Sequence, residues 1–84
     1  MAIKVNKGSN PLADQLNYRL LNLERSCRLT IYNNLGKEIQ SHLIDTDATE
    51  GSLELMFSQS GVYHCIIRDV ADDKLLHSQV LTKN

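Results

Sequence analysis

The sequence predicts an all-β fold, a single antiparallel sandwich of about seven strands in one 84-residue domain. Two observations carry this prediction. Apolar residues recur at every second position in segment after segment, the period of a half-buried strand, and almost no window keeps the 3.6-residue period of a helix. Turn signals interrupt the alternation roughly every ten residues, the spacing of hairpin-connected strands in a sandwich.

The elements follow in order. A short opening strand covers Ile3 to Val5, and "NKGSNP" is a loop marked by Gly8 and Pro11. In "QLNYRLLN", Leu16, Tyr18 and Leu20 point one way while Asn17 and Arg19 point the other. The longer run "PLADQLNYRLLNLER" also sets Leu12, Leu16, Leu20 and Leu23 at near-helical spacing, but Tyr18 and the two Asn residues fit alternation equally well, and the strand is the reading adopted. After the turn "LERS", "CRLTIYNN" sends Cys27, Leu29 and Ile31 inward and Arg28, Thr30 and Tyr32 outward, with "GKEIQSHL" as its hairpin partner. The polar connection "IDTDATEG" leads to "SLELMF", where Leu53, Leu55 and Phe57 share a face. "SQSG" turns the chain into "VYHCIIRD", with Tyr63, Cys65 and Ile67 on one side, and "VADDK" turns it into the last strand, "LLHSQVLT". The single Pro lies outside every strand, as backbone pairing requires. This pattern is immunoglobulin-like.

Composition narrows the function. Apolar residues make up 42% and charged ones 23%, an ordinary globular balance that argues against disorder. Three Tyr, one Phe and no Trp leave few rings to stack on bases or sugars, and the net charge of −1 with scattered basic residues gives no phosphate-binding face. A nucleic-acid partner is therefore not expected. No run approaches the roughly 20 apolar residues of a membrane-spanning helix, so no membrane insertion is expected either.

Chemistry-bearing constellations are sparse. Cys27 and Cys65 have no CxxC neighbour, and the simplest reading is two small buried side chains, with a disulfide as the alternative if their Cα atoms approach within about 7 Å. Cys65 follows His64 directly, which in a strand sends the two to opposite faces and prevents their acting as a nucleophile and base. His42, His64 and His77 read as a solvated strand face. Asp45, Asp47 and Glu50 faintly suggest calcium, but the loop departs from the EF-hand pattern, and solvated carboxylates explain it. No catalytic, metal or cofactor site is expected.

The order "SNPLADQLNYRL", "LTIYNNLGKEI", "SGVYHCIIRD" and "KLLHSQVLTKN" resembles the C-terminal sorting domain of the type IX secretion system of Bacteroidetes. Asn10 and Pro11 fit the family's opening motif; Ile31, Tyr32, Asn33, Gly36, Lys37, Glu38 and Ile39 fit its central hairpin; Gly61 and Tyr63 fit its Gly-x-Tyr strand. The final strand departs from it, with Ser78 and Gln79 where consecutive lysines are habitual, and the two cysteines are not part of the pattern. Read physically, Gly36 and Gly61 each supply a positive φ at a turn, and Tyr63 is core.

The resemblance implies a delivery label. Proteins with such a domain are cargo: an outer-membrane translocon recognises the domain and a sortase-like protease then removes it, so that the domain is substrate and never itself an enzyme. The partner-binding residues it suggests are Gly36, Lys37, Glu38, Gly61 and Tyr63, with Gln79, Val80, Leu81, Thr82 and Lys83 on the final strand. The expected itinerary is periplasm, then outer membrane, cell surface or medium. Because "MAIKVNKGSN" lacks the apolar core of a signal peptide, the chain is expected to be the C-terminal fragment of a larger exported protein, with residues 1–10 a short leading segment. The alternative is a non-catalytic immunoglobulin-like or fibronectin-like spacer or binding module of a cell-surface protein. Long antiparallel edges leave a homodimer through strand pairing open.

Overall fold

The computed structural model describes residues 2–7, 15–55 and 61–83, the side chains of residues 6, 7 and 83 excepted. Seven strands follow in order: β1 (Ala2–Lys7), β2 (Gln15–Leu21), β3 (Cys27–Asn33), β4 (Glu38–Ile44), β5 (Glu50–Glu54), β6 (Gly61–Asp69) and β7 (Leu75–Lys83). All pairings are antiparallel, and no helix occurs among the described residues. Two sheets form, a three-stranded one in the order β1-β2-β5 and a four-stranded one in the order β4-β3-β6-β7. The fourth strand joins the second sheet, whereas a constant-type immunoglobulin domain keeps it with the first. The architecture is the expected immunoglobulin-like sandwich. Asn10, Pro11 and Phe57 lie outside the described residues.

The period-2 pattern sets the core. Val5, Leu16, Tyr18 and Leu20 face inward from the three-stranded sheet, and Cys27, Leu29, Ile31, Ile44, Tyr63, Cys65, Ile67 and Leu81 meet them from the other. The strand assigned to "QLNYRLLN" buries alternate residues throughout, because only that period places Leu16, Tyr18 and Leu20 on one face. Two bulges refine the edges. Ile31 pairs with Gln40 and Tyr32 with Glu38, which leaves Ile39 as the extra residue of β4; Leu76 is its counterpart on β7, between the pairs Ile67–His77 and Arg68–Leu75. Each bulge packs its additional apolar side chain against the core.

Two expectations change. Thr30 does lie on the outer face of β3, but it is only 7% exposed, because β3 is a central strand and its neighbours there include Arg28 and Tyr32. His42 and His77 do not belong to a solvated face. They pair in register with Leu29 and Ile67, and so point into the gap between the sheets. Only His64, in line with Tyr32 and Val80, faces outward.

Two inward rows of the four-stranded sheet end in polar residues at both edges, and three of these four side chains reach across to the other sheet. One row across the four-stranded sheet reads Gln40–Ile31–Cys65–Gln79 and the next reads His42–Leu29–Ile67–His77. Gln40 donates through Nε2 to the Glu54 carbonyl at 2.7 Å, and Gln79 donates likewise to the Val5 carbonyl at 2.9 Å. His42 Nε2 stands 3.1 Å from the Tyr18 hydroxyl, and His77 Nε2 stands 3.0 Å from Gln79 Oε1. An inward residue at a sheet edge is covered on one side only, so a side chain with an apolar stem and a polar tip suits it. Gly51 makes room for one of these ties, since a Cβ there would lie 2.8 Å from the Tyr18 hydroxyl oxygen.

Candidate functional site

The β3–β4 hairpin is built by Asn33. Its side-chain Oδ1 accepts the Leu35 and Lys37 amides at 3.0 and 2.9 Å, and the Gly36 amide donates to its carbonyl at 3.0 Å. The turn then closes through Gly36 at φ 85°, a conformation that costs an L-residue about 1–2 kcal/mol. Lys37 and Glu38 are thereby held exposed at the start of β4. Gly61, at φ 149°, opens β6, so both glycines have the positive φ expected of them.

Strand register brings the suggested partner-binding residues together. Glu38 lies in one row with Tyr32, His64 and Val80; Asn33, beside the hairpin, aligns with Tyr63 and Leu81; Val62 aligns with Thr82 and Gly61 with Lys83. All sit at the same end of the four-stranded sheet, with Gln79 one row further in. Their surroundings differ. Val80 is 59% exposed on the outer face, and Lys37, Glu38, Gly61 and Thr82 are also exposed, whereas Tyr63 and Leu81 are buried in the core and Gln79 is engaged with Val5. Sequence reasoning did not single out Asn33 for the carboxamide that shapes this end, although an Asn opening a Gly-containing turn is its usual sign.

The edge itself is β7, which among the described residues pairs only with β6. From Leu75 to Thr82 it carries no Asp, Glu, Lys or Arg. The other edge strands are protected: β1 has Lys4 and Lys7, β5 has Glu50 and Glu54, and β4 has Glu38 and its bulge near the hairpin. A charge or a bulge on an edge strand obstructs the docking of another strand. The bulge of β7 lies at its start, beside Leu75, and leaves the run from His77 to Lys83 regularly paired with β6.

The opposite end of the sheet is fastened internally. The buried Asp69 carboxylate accepts the Ala71 amide at 2.8 Å and pairs with Arg25 at 3.1 Å. Both cysteines are free and fully buried. Cys27 aligns with Asp69, four residues along β6 from Cys65, which separates the thiol positions by roughly 13 Å along neighbouring strands, beyond the reach of a disulfide. Burial pushes the Cys65 thiol up to about 11, the opposite of the activation a nucleophile needs. His64 lies on the other face of the sheet. Among the described residues no cluster of three His, Cys, Asp or Glu side chains could hold a metal ion.

A polar-tipped rim, a hairpin end and an uncharged edge strand suit recognition by another protein. Comparison with protein families matches residues 10–81 to the secretion system C-terminal sorting domain. The match includes every suggested partner-binding residue except Thr82 and Lys83. No curated protein and no solved structure matches the chain. Since the family match spans most of the sequence, the chain belongs to the C-terminal sorting domains of the type IX secretion system, signals that engage that machinery for export through the outer membrane to the cell surface or the medium.

Proposed function

We propose that this domain is the C-terminal delivery label of a larger exported protein, and that the outer-membrane translocon reads it by adding a strand to β7. The label is residues 1–84 taken as a single domain, with β1 as an edge strand of its three-stranded sheet. The observation that carries the reading is the uncharged edge from Leu75 to Thr82. Backbone pairing along such an edge gives affinity, while alternate side chains give specificity. Exposed Val80 and Thr82 lie on the outer face of that edge and Gly61 borders it on β6, while Lys37 and Glu38 lie at the same end of the sheet but on its opposite edge, β4. Tyr63 and Leu81 serve by holding β6 and β7 in register from within the core. A sortase-like protease then removes the domain, which takes part as substrate rather than as catalyst.

The test places the whole chain behind a signal peptide and a fluorescent reporter in a bacterium with a working type IX system. Val80→Lys puts a charge on the edge at an exposed position, where the cost in stability is within about 0.5 kcal/mol. Export of the folded variant is expected to fall by about tenfold, the equivalent of one strong lost contact, and a translocon-deficient strain is expected to retain the reporter in the periplasm. Undiminished export of the Val80→Lys form would refute strand addition at β7. Translocon-independent export of the parent would instead favour a spacer or binding module.

A further inference from the structure

The outer faces of the two sheets differ in chemistry. The three-stranded sheet presents the rows Lys4–Arg19–Glu50 and Asn17–Ser52, whose polar groups largely satisfy one another, with Arg19 at 3.9 Å from Glu50 and Ser52 donating to Asn17 at 2.7 Å. The four-stranded sheet presents four of the exposed large apolar side chains, Leu43, Val62, Leu75 and Val80, with Tyr32 and Ile66 half-buried among them. Across it runs a shallow groove of about 560 Å³ over Thr30 and Tyr32.

At one end of this groove Arg28 and Arg68 stand directly opposite each other in register. A like-charged cross-strand pair opposes folding, so it is a feature the fold tolerates rather than uses. Arg68 Nη1 donates to the Asp73 carbonyl at 3.2 Å, and among the described residues neither guanidinium has a carboxylate partner. The carboxylates bordering the groove do not supply one: Asp69 is held by Arg25, Glu38 stands two rows away, and Asp73 offers Arg68 its backbone.

We infer that this face docks an extended acidic segment of a partner protein, its carboxylate held by Arg28 and Arg68 and its apolar side chains laid over Ile66, Tyr32 and Val80. Paired guanidinium forks match carboxylate geometry. Outward rows along a strand recur every two residues, about 6.8 Å. An extended chain lying along β3 and β6 therefore sets residues i, i+2 and i+4 over the Arg28–Arg68, Thr30–Ile66 and Tyr32–His64 rows in turn. The motif that fits is acidic-x-apolar-x-apolar. The inference concerns the sheet's face and stands or falls separately from strand addition at the β7 edge.

The experiment titrates the ¹⁵N-labelled whole chain with the peptide acetyl-Glu-Ser-Val-Ser-Val-amide at millimolar concentration. Saturable shifts are expected at the Arg28, Thr30, Tyr32, Ile66 and Arg68 amides and not at Lys4 or Arg19. The same peptide with Lys in place of Glu is expected to give none. R28Q/R68Q relieves the repulsion and so should fold, with binding weakened by about tenfold or more, while R19Q leaves it unchanged. Absence of saturable shifts, shifts centred elsewhere, or equal binding by R28Q/R68Q would overturn the inference. It would equally be overturned if dextran sulfate alone moved the Arg28 and Arg68 signals, marking a polyanion site, or if those residues shifted with protein concentration, marking a second copy as the occupant.

Discussion

At Asn33 a single carboxamide oxygen receives two backbone N–H groups, from Leu35 and Lys37, while the residue's own amide donates to the Lys37 carbonyl at 2.9 Å. The turn thus depends on an acceptor at this position and on Gly36 after it. Asn33→Ala removes both side-chain bonds and is expected to cost about 1–2 kcal/mol by denaturant unfolding, whereas Asn33→Asp keeps the acceptor and should cost far less. Equal costs for the two would show that the carboxamide oxygen does not organise the hairpin. The resemblance pointed to this stretch as a motif, and the alternating pattern marked it as a strand ending in a turn. Neither conveyed that the Asn side chain replaces missing backbone partners, because that is a matter of turn geometry and not of hydrophobicity.

At the scale of elements, alternation located the strands and their buried faces well, since a strand fixes the direction of each side chain by parity alone. It failed at the rims. Gln40, His42, His77 and Gln79 look solvent-facing by composition, yet their parity is inward, and only the pairing of β4 and β7 at the sheet edges explains polar residues there. Pairing is non-local, so the transfer of β4 to the second sheet and the emergence of β7 as an uncharged edge opposite it required the structure. The rim ties are separable: Gln40 and Gln79 occupy opposite edges of one row, three strand spacings or about 14 Å apart. Gln40→Leu and Gln79→Leu should therefore each cost about 1 kcal/mol, and the double variant their sum within about 0.5 kcal/mol, in urea unfolding. A cost near zero would mean that the ties form without holding the sheets, and strong non-additivity would mean that the two edges are coupled through the core.

At the scale of the whole molecule, three weakly acidic groups between the sheets, Cys65, Cys27 and Tyr18, are shifted the same way. Burial raises Cys65 to about 11; burial, then the Asp69 charge, raises Cys27; burial, then Cys27, raises Tyr18. In the unfolded chain a cysteine ionises near its ordinary 9.0, so the folded state holds its protons more tightly than the unfolded state does. The stability this represents is complete below about pH 9 and is lost as the pH rises toward 11. The Cys65 contribution lost over that interval is on the order of 2 kcal/mol, which is a large share of the margin of a small domain. Denaturant unfolding between pH 8 and 11 is therefore expected to show stability falling with pH, with both thiols silent to alkylating reagents until the sandwich opens. Cys65→Ala lowers the starting stability by leaving a small void, but it also removes the group that titrates. Its curve should be flatter, and that change of slope separates the electrostatic effect from packing. A Cys65→Ala slope equal to that of the parent would show that the thiol is not the group whose proton the fold retains. Alkylation of either cysteine ahead of global unfolding would show that the two sheets part locally rather than as one unit.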